Sequence, residues 1–307
     1  MPRGVSALLT AAPEIPRNTS GRLQLAQWLT SPTNPLTSRV IVNRAWHWLF
    51  GRGLVASMDN FGTTGERPSH PELLDHLAKS FVADGWSLKL VVRQIVLSRT
   101  YQLAATHDDA KLAADPENAL LWRHSPRRLD AESIRDAMLA ASGALDLTPP
   151  ISIIAKAGDG PVGGPRNSAI TDEQATQATH NGRSLYLPAA RSVPSDALAV
   201  FDLPDASAVR GAREVTNVPA QSLFLMNSPF VAQQSERLAA RVLAAYPGDA
   251  AAHFEERLAH ACWLTLGRAP EAAEVAAANA LLARKPATAW AAITRGFFTS
   301  AAFRMNR

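Results

Sequence analysis

The chain has 307 residues, of which 47% are hydrophobic and 19% are charged, and its formal net charge at neutral pH is +4. This balance excludes a disordered chain, because disorder goes with low hydrophobicity and high net charge. The single cysteine, Cys262, excludes an internal disulfide and a cysteine-rich metal site. No run of five or six like charges occurs, which argues against a nucleic-acid-binding protein.

Residues 1–20 have the composition of a linker, because Pro13, Pro16 and Asn18 interrupt any helical period. No apolar run with a cleavage site follows the first residues, so we expect no signal peptide in this chain. No stretch of about 18 apolar residues occurs either, and we therefore expect no membrane span.

Helix boundaries define an N-terminal helical part, residues 21–146. A first helix is predicted at 22–29, and Asn34 can cap a second that runs to Phe50. Gly51 then supplies the left-handed conformation that ends it.

Four further polar signals predict helix starts in the same part. Ser69 and Glu72 fit a capping box ahead of an apolar stripe. Ser87 can cap a helix that carries Leu88, Val91, Val92, Ile95 and Val96. Further helices are expected to open at Asp115 and after Asp130, the last one ending at Gly143.

The helical period is lost between residues 147 and 215, where Pro149-Pro150 and Asn181-Gly182 interrupt the pattern. Short strands could form at 151–154, 184–187 and 198–201. We therefore expect an irregular excursion from a helical body, with room for a small sheet.

Helical signals return in the C-terminal part, residues 216–307. Two helices should meet at a bend near Asn227, and a third should run from a cap at Asp249 to Gly267. Pro270 opens an Ala-rich helix and Trp290 belongs to the last one. The predicted fold class is mainly α, a multi-helix globular bundle in which this part and residues 21–146 form one compact unit.

Two patterns resemble known functional motifs but lack a feature that each function requires. Residues 158–163 match the dinucleotide pattern G-x-G-x-x-G, but Pro161 and Pro165 prevent the helix that such a site requires. His253, Glu256 and His260 can share a helix face, yet they lack the His-Glu-x-x-His spacing of zinc proteases. We predict no metal site and no cofactor in this chain.

Acid/base chemistry has four candidate residues: Glu66, His70, Glu72 and Asp136. A histidine at a helix N-terminus beside carboxylates could act on an anion or transfer protons. The alternative is structural, because helix capping also explains Glu72, and surface exposure explains the neighbouring Asp75 and His76.

A second set of polar residues could bind a ligand or anion; its members are Asn43, Arg44, Arg128, Arg135, Arg213 and Asn217. Arginine forks favour bidentate carboxylate or oxyanion partners. The competing interpretation is a polar staple, in which Arg128 or Arg135 is buried against Asp136 or Glu66 and holds helices together.

The order of several motifs resembles the planctomycete family called domain of unknown function 1553. The similarity begins near Arg22 and runs to the C-terminus. The residues that carry it are Asn34-Pro35-Leu36-Thr37-Ser38-Arg39-Val40 with Asn43-Arg44, Pro68-Ser69-His70-Pro71-Glu72-Leu73-Leu74-Asp75, Gly85-Trp86-Ser87, Ser98-Arg99-Thr100-Tyr101, Arg128-Leu129-Asp130-Ala131-Glu132, Phe201-Asp202, and Thr216-Asn217-Val218-Pro219-Ala220-Gln221.

The resemblance implies the C-terminal module of a long exported protein, in the periplasm or at the cell surface. Such proteins often carry an upstream cytochrome-c-like domain, so any haem is expected there, because this chain lacks Cys-x-x-Cys-His. No established activity comes with the family. The leading hypothesis is an interaction or ligand-binding platform for upstream domains or other exported proteins. The alternative is a hydrolase acting on a polysaccharide.

Overall fold

A computed structural model describes residues 13–149, 180–187, 196–204, 210–249 and 251–306. The fold is mainly α, as the sequence predicts. The helices gather into two compact units, which divide between Arg127 and Arg128. The sequence analysis instead grouped residues 128–146 with the N-terminal helices. The division of the chain into folding domains stays a prediction.

The first unit contains five described helices. They are α1 (Arg22–Leu29), α2 (Thr37–Phe50), α3 (Pro71–Ala83), α4 (Leu88–Val96) and α5 (Asp109–Ala114).

Helices α2, α3 and α4 pack on one another around the core of this unit. The Oδ1 of Asn34 accepts hydrogen bonds from the backbone N–H groups of Leu36 and Thr37 at 3.0 and 3.3 Å, but the N-cap position of α2 is Leu36 and not Asn34 as predicted. Gly51 ends the helix with a φ of 84°. The buried side chains that fill this core include Val42, Trp46, Phe50, Leu74, Leu77, Phe81, Val91 and Ile95.

In the first unit the predicted capping box at Ser69 and the predicted helix start at Asp115 are wrong, although a helix does follow Ser69. The Ser69 hydroxyl lies 3.3 Å from the Leu54 carbonyl oxygen, so no capping box forms, and His70 occupies the N-cap position before Pro71. At Asp115 a helix ends, because both carboxylate oxygens accept backbone N–H groups of a turn, from Ala119 and Leu120.

The second unit contains seven described α-helices. They are α6 (Ala131–Ser142), α7 (Asp196–Ala199), α8 (Pro219–Asn227), α9 (Pro229–Ala245), α10 (Phe254–Leu266), α11 (Ala272–Arg284) and α12 (Ala289–Thr299).

Helix α9 is central to this unit and packs against α6, α10 and α12. Its buried residues Val231, Leu238 and Val242 are fully inaccessible to solvent, and they share a core with Leu258 and Phe298. The predicted bend near Asn227 is confirmed, because α8 ends there and α9 begins at Pro229.

The excursion contains no strand among its described residues. Ser184–Tyr186 forms a 3₁₀-helix, and residues 198–201 lie at the end of α7 and in the turn after it. The third predicted strand, 151–154, lies outside the described residues. The described residues do form a small sheet elsewhere, in which β1 (Arg127–Arg128) pairs with β2 (Met305–Asn306).

Within the ranges given above, none of the helices combines the length and the hydropathy that a bilayer crossing requires.

Candidate functional site

Three of the four acid/base candidates lie in the first unit. Glu66 and Glu72 are exposed, the first in a loop and the second in the first turn of α3. His70 is half-buried, and its Nδ1 lies 3.0 Å from the Ser69 hydroxyl. Exposed carboxylates act in bulk water, where preorganised electrostatic stabilisation is weak.

The fourth candidate, Asp136, lies on α6 in the second unit. Its Oδ1 accepts hydrogen bonds from the Ser184 backbone N–H at 2.8 Å and the Ser184 hydroxyl at 2.7 Å. Its carboxylate also faces Arg135 at 3.6 Å and Arg183 at 3.9 Å. These contacts are structural, and the hydrolase alternative stays a prediction.

Arg135, on α6, forms hydrogen bonds to the segment that contains the 3₁₀-helix Ser184–Tyr186. Its Nη1 donates to the Gly182 carbonyl oxygen at 2.9 Å and the Ser184 hydroxyl at 3.2 Å, and its Nη2 donates to the His180 carbonyl oxygen. Burial lowers the pKa of Arg135, while the charge of Asp136 opposes that change. The arrangement is that of a polar staple.

Asn43 has a structural position within α2. Its side chain is fully buried, and it accepts from the Val55 N–H at 2.9 Å while donating to the Val55 carbonyl oxygen at 3.0 Å. A Cβ at Gly53 would lie 2.8 Å from Asn43 Nδ2, so glycine permits this close approach. Both polar atoms are therefore occupied by the chain itself.

The remaining ligand candidates differ in their surroundings. Arg44 forms an ion pair with Asp59 at 3.3 Å. Arg213 binds both carboxylate oxygens of Glu132, at 2.6 and 3.0 Å, and this hydrogen bonding raises its pKa. Asn217 is exposed just before α8.

Arg128 belongs to a buried polar network in the second unit. Its side chain is 9% exposed and forms an ion pair with Asp202. Asp202 also accepts the Thr216 hydroxyl at 2.7 Å and the Thr216 N–H at 2.9 Å. The Arg128 guanidinium lies 5.9 Å from the centre of the Phe201 ring.

The outer face of α4 is a second candidate, in the first unit. Leu88, Val92 and Val96 recur every fourth residue and form one row along the helix. Lys89, Arg93 and Leu97 continue a neighbouring row, and both rows line one open depression. We call this surface the α4 face.

Family comparison agrees with the motif order. The family described as a protein of unknown function (DUF1553) matches residues 21–282. The chain belongs to this DUF1553 family. Neither a curated protein nor a solved structure gives a match.

The DUF1553 match includes the α4 face and the Arg128–Asp202–Thr216 network, whereas Arg304 lies beyond it. Sequence reasoning identified Arg128 but missed Asp202 and Arg304 as its neighbours, because they are far apart along the chain. It also missed the exposure of Leu88 and Val92. The sequence feature that could have indicated the α4 face is the pair of basic residues Lys89 and Arg93, which lie four positions apart on one side of the helix.

Among the described residues, no cluster of three or more His, Cys, Asp or Glu side chains could hold a metal ion.

Proposed function

We propose that this DUF1553 chain is a helical interaction module that binds an acidic amphipathic helix of a partner protein on the α4 face. The observation that carries the proposal is the pairing of an exposed apolar row with a basic row on one helix. No catalytic role is part of it.

The apolar residues of the α4 face are unusually open for their type. Leu88 is 47% exposed, Val92 is 37% exposed and Leu97 is 61% exposed, whereas Val91 and Ile95 on the opposite side are buried. Single exposed apolar residues are normal, but a contiguous apolar patch with a polar rim is typical of a protein-binding surface.

The charges on the α4 face indicate that the partner helix is acidic. Lys89 and Arg93 line the depression, and none of the described residues that line it carries a carboxylate. Neither side chain forms an ion pair within the described part of the chain. A partner helix with an apolar stripe beside Asp or Glu residues would complement both rows, as in helix-in-groove recognition.

The family resemblance suggests where such a helix would come from. We propose that the partner is an upstream domain of the same polypeptide or another exported protein, and that the chain acts outside the cytoplasm. Any haem would then belong to the upstream domain. Co-purification of the separately expressed chain with the upstream domain tests this part, and clean separation without measurable affinity contradicts it.

A peptide-binding experiment tests the α4 face directly. The probe is a fluorescent 18-residue helical peptide with a leucine stripe flanked by glutamates, compared with a peptide that has lysines in place of the glutamates. We expect the acidic peptide to bind more tightly to the unmodified chain. The double variant Lys89→Glu/Arg93→Glu should weaken this binding roughly tenfold, since each rim charge pair contributes up to about 1 kcal/mol.

The double variant Arg284→Glu/Lys285→Glu is the matched control, because it reverses one arginine and one lysine at exposed positions in the other unit. It should leave the affinity of the acidic peptide unchanged. Equal binding of both peptides, or binding that is indifferent to the double charge reversal, would contradict the proposal.

A further inference from the structure

Two arginines of the second unit have buried donors without acceptors. Nε and Nη1 of Arg128 and Nε of Arg304 are shielded from solvent, and none of the three has a hydrogen-bond partner among the residues that the structure describes. A buried donor that lacks an acceptor is costly, and one on a charged group more so. Such donors therefore indicate a missing acceptor.

The chain places these two arginines close together. The Leu129 N–H donates to the Arg304 carbonyl oxygen at 2.7 Å, which pairs the segments that carry Arg128 and Arg304. Burial lowers the pKa of Arg304, and the nearby charge of Arg128 lowers it further. Buried donors of both arginines thus lie on two chain segments that pair with each other.

The negative charge beside them is insufficient. Asp202 pairs with Arg128, but both of its oxygens also accept hydrogen bonds from Thr216. No carboxylate in the described ranges forms an ion pair with Arg304. Two cations beside one carboxylate leave one positive charge without compensation, which is unfavourable in a desolvated place.

We propose that Arg128 and Arg304 form a binding site for a small oxyanion such as phosphate, sulfate or a carboxylate. An oxyanion supplies the negative charge and the acceptor oxygens that the guanidinium N–H groups lack. The site is independent of the α4 face, which lies in the other unit. Neither proposal depends on the other.

Calorimetric titration of the full chain with inorganic phosphate, sulfate and acetate tests the site, with chloride at matched ionic strength as the reference. We expect saturable binding of an oxyanion and a rise of the melting temperature that chloride does not produce. A response identical to that of chloride, or a rise that does not saturate with oxyanion concentration, would overturn the proposal, because sulfate and phosphate also stabilise folded proteins by general exclusion from their surface.

Variants of the two arginines locate the binding. Arg304→Gln should abolish the phosphate response, and Arg213→Gln should preserve it, since Arg213 is paired with Glu132 on the surface of the same unit. If Arg304→Gln does not fold, Arg304→Lys replaces it; this variant retains the charge but lacks the Nε donor, and it should bind phosphate more weakly. An unchanged affinity in the folded variant would overturn the proposal.

Asp202→Asn separates anion binding from a purely structural role. Removal of the one paired carboxylate should make phosphate binding roughly fivefold tighter or more, because the local positive charge increases. A purely structural network predicts lower stability with no gain in phosphate affinity, and that result would contradict the site.

Discussion

At the residue scale, buried polar side chains of this protein are used to hold backbone segments. Asn43 binds both the N–H and the carbonyl group of Val55, whereas Arg257 donates to backbone carbonyl oxygens that follow the end of α9. The fully buried Arg257 donates to the carbonyl oxygens of Tyr246 and Asp249.

The substitution Asn43→Ala tests how much the hydrogen bonds of this buried amide contribute to the free energy of unfolding. Asn43→Ala leaves the Val55 N–H and C=O without partners, so the free energy of unfolding should fall by roughly 2–4 kcal/mol. Chemical denaturation followed by circular dichroism gives the value. Gln102→Ala, at an exposed position in the same unit, should change stability by less than about 0.5 kcal/mol. Equal effects of the two substitutions would show that the Val55 contacts contribute nothing.

At the scale of single elements, local signals located most helix ends. Ser87 and Asp130 cap α4 and α6 as predicted, with hydrogen bonds to Leu90 N–H and Ser133 N–H. The box at Ser69 failed because a distant acceptor, the Leu54 carbonyl oxygen, takes its hydroxyl group. A real capping box occurs instead at Glu271 and Glu274, where the sequence indicated only a helix start near Pro270.

Two glycines with open surroundings allow the effect of backbone conformation on stability to be measured separately from the effect of packing. Gly267 ends α10 at a φ of 66°, whereas Gly296 lies within α12. At either position an added Cβ would have no atom of the described residues within 4 Å. Gly267→Ala should destabilise the protein by roughly 1 kcal/mol, because the left-handed conformation is unfavourable for alanine.

Gly296→Ala should instead stabilise the protein by about 0.5–1 kcal/mol, because alanine loses less entropy than glycine in a helix. Thermal unfolding of both variants measures the difference. Changes of the same sign would refute this explanation.

At the scale of the whole molecule, several carboxylates are tied to arginines within their own unit. In the first unit a hydrogen bond from Arg39 lowers the pKa of Asp75. In the second, a two-bond contact with Arg268 lowers the pKa of Glu274, with both distances at 2.8 Å. These groups favour the folded state only while they are ionised.

Acid should therefore weaken the fold. A carboxylate with a lowered folded pKa contributes stability above its unfolded pKa, and this is lost as the pH falls through the folded value. The contribution of these groups to the free energy of unfolding should thus be constant above about pH 5 and decline below about pH 4. Denaturant midpoints from pH 2.5 to 6 provide the measurement.

Arg268→Gln supplies the control for that decline, because it removes the main cause of the lowered pKa of Glu274. The difference in stability between this variant and the parent chain should shrink as the pH falls below about 4. A difference that stays the same at every pH would contradict the assignment.

The sequence by itself determined the helical class, most helix boundaries and the family, because capping residues and apolar periodicity act within a few neighbouring positions. It did not determine which apolar residues face solvent, as Leu88 and Val92 show, since burial depends on what packs against a helix. Only the tertiary structure brought Arg128, Asp202, Thr216 and Arg304 together. Their pairing joins positions far apart along the chain, and no local pattern encodes it.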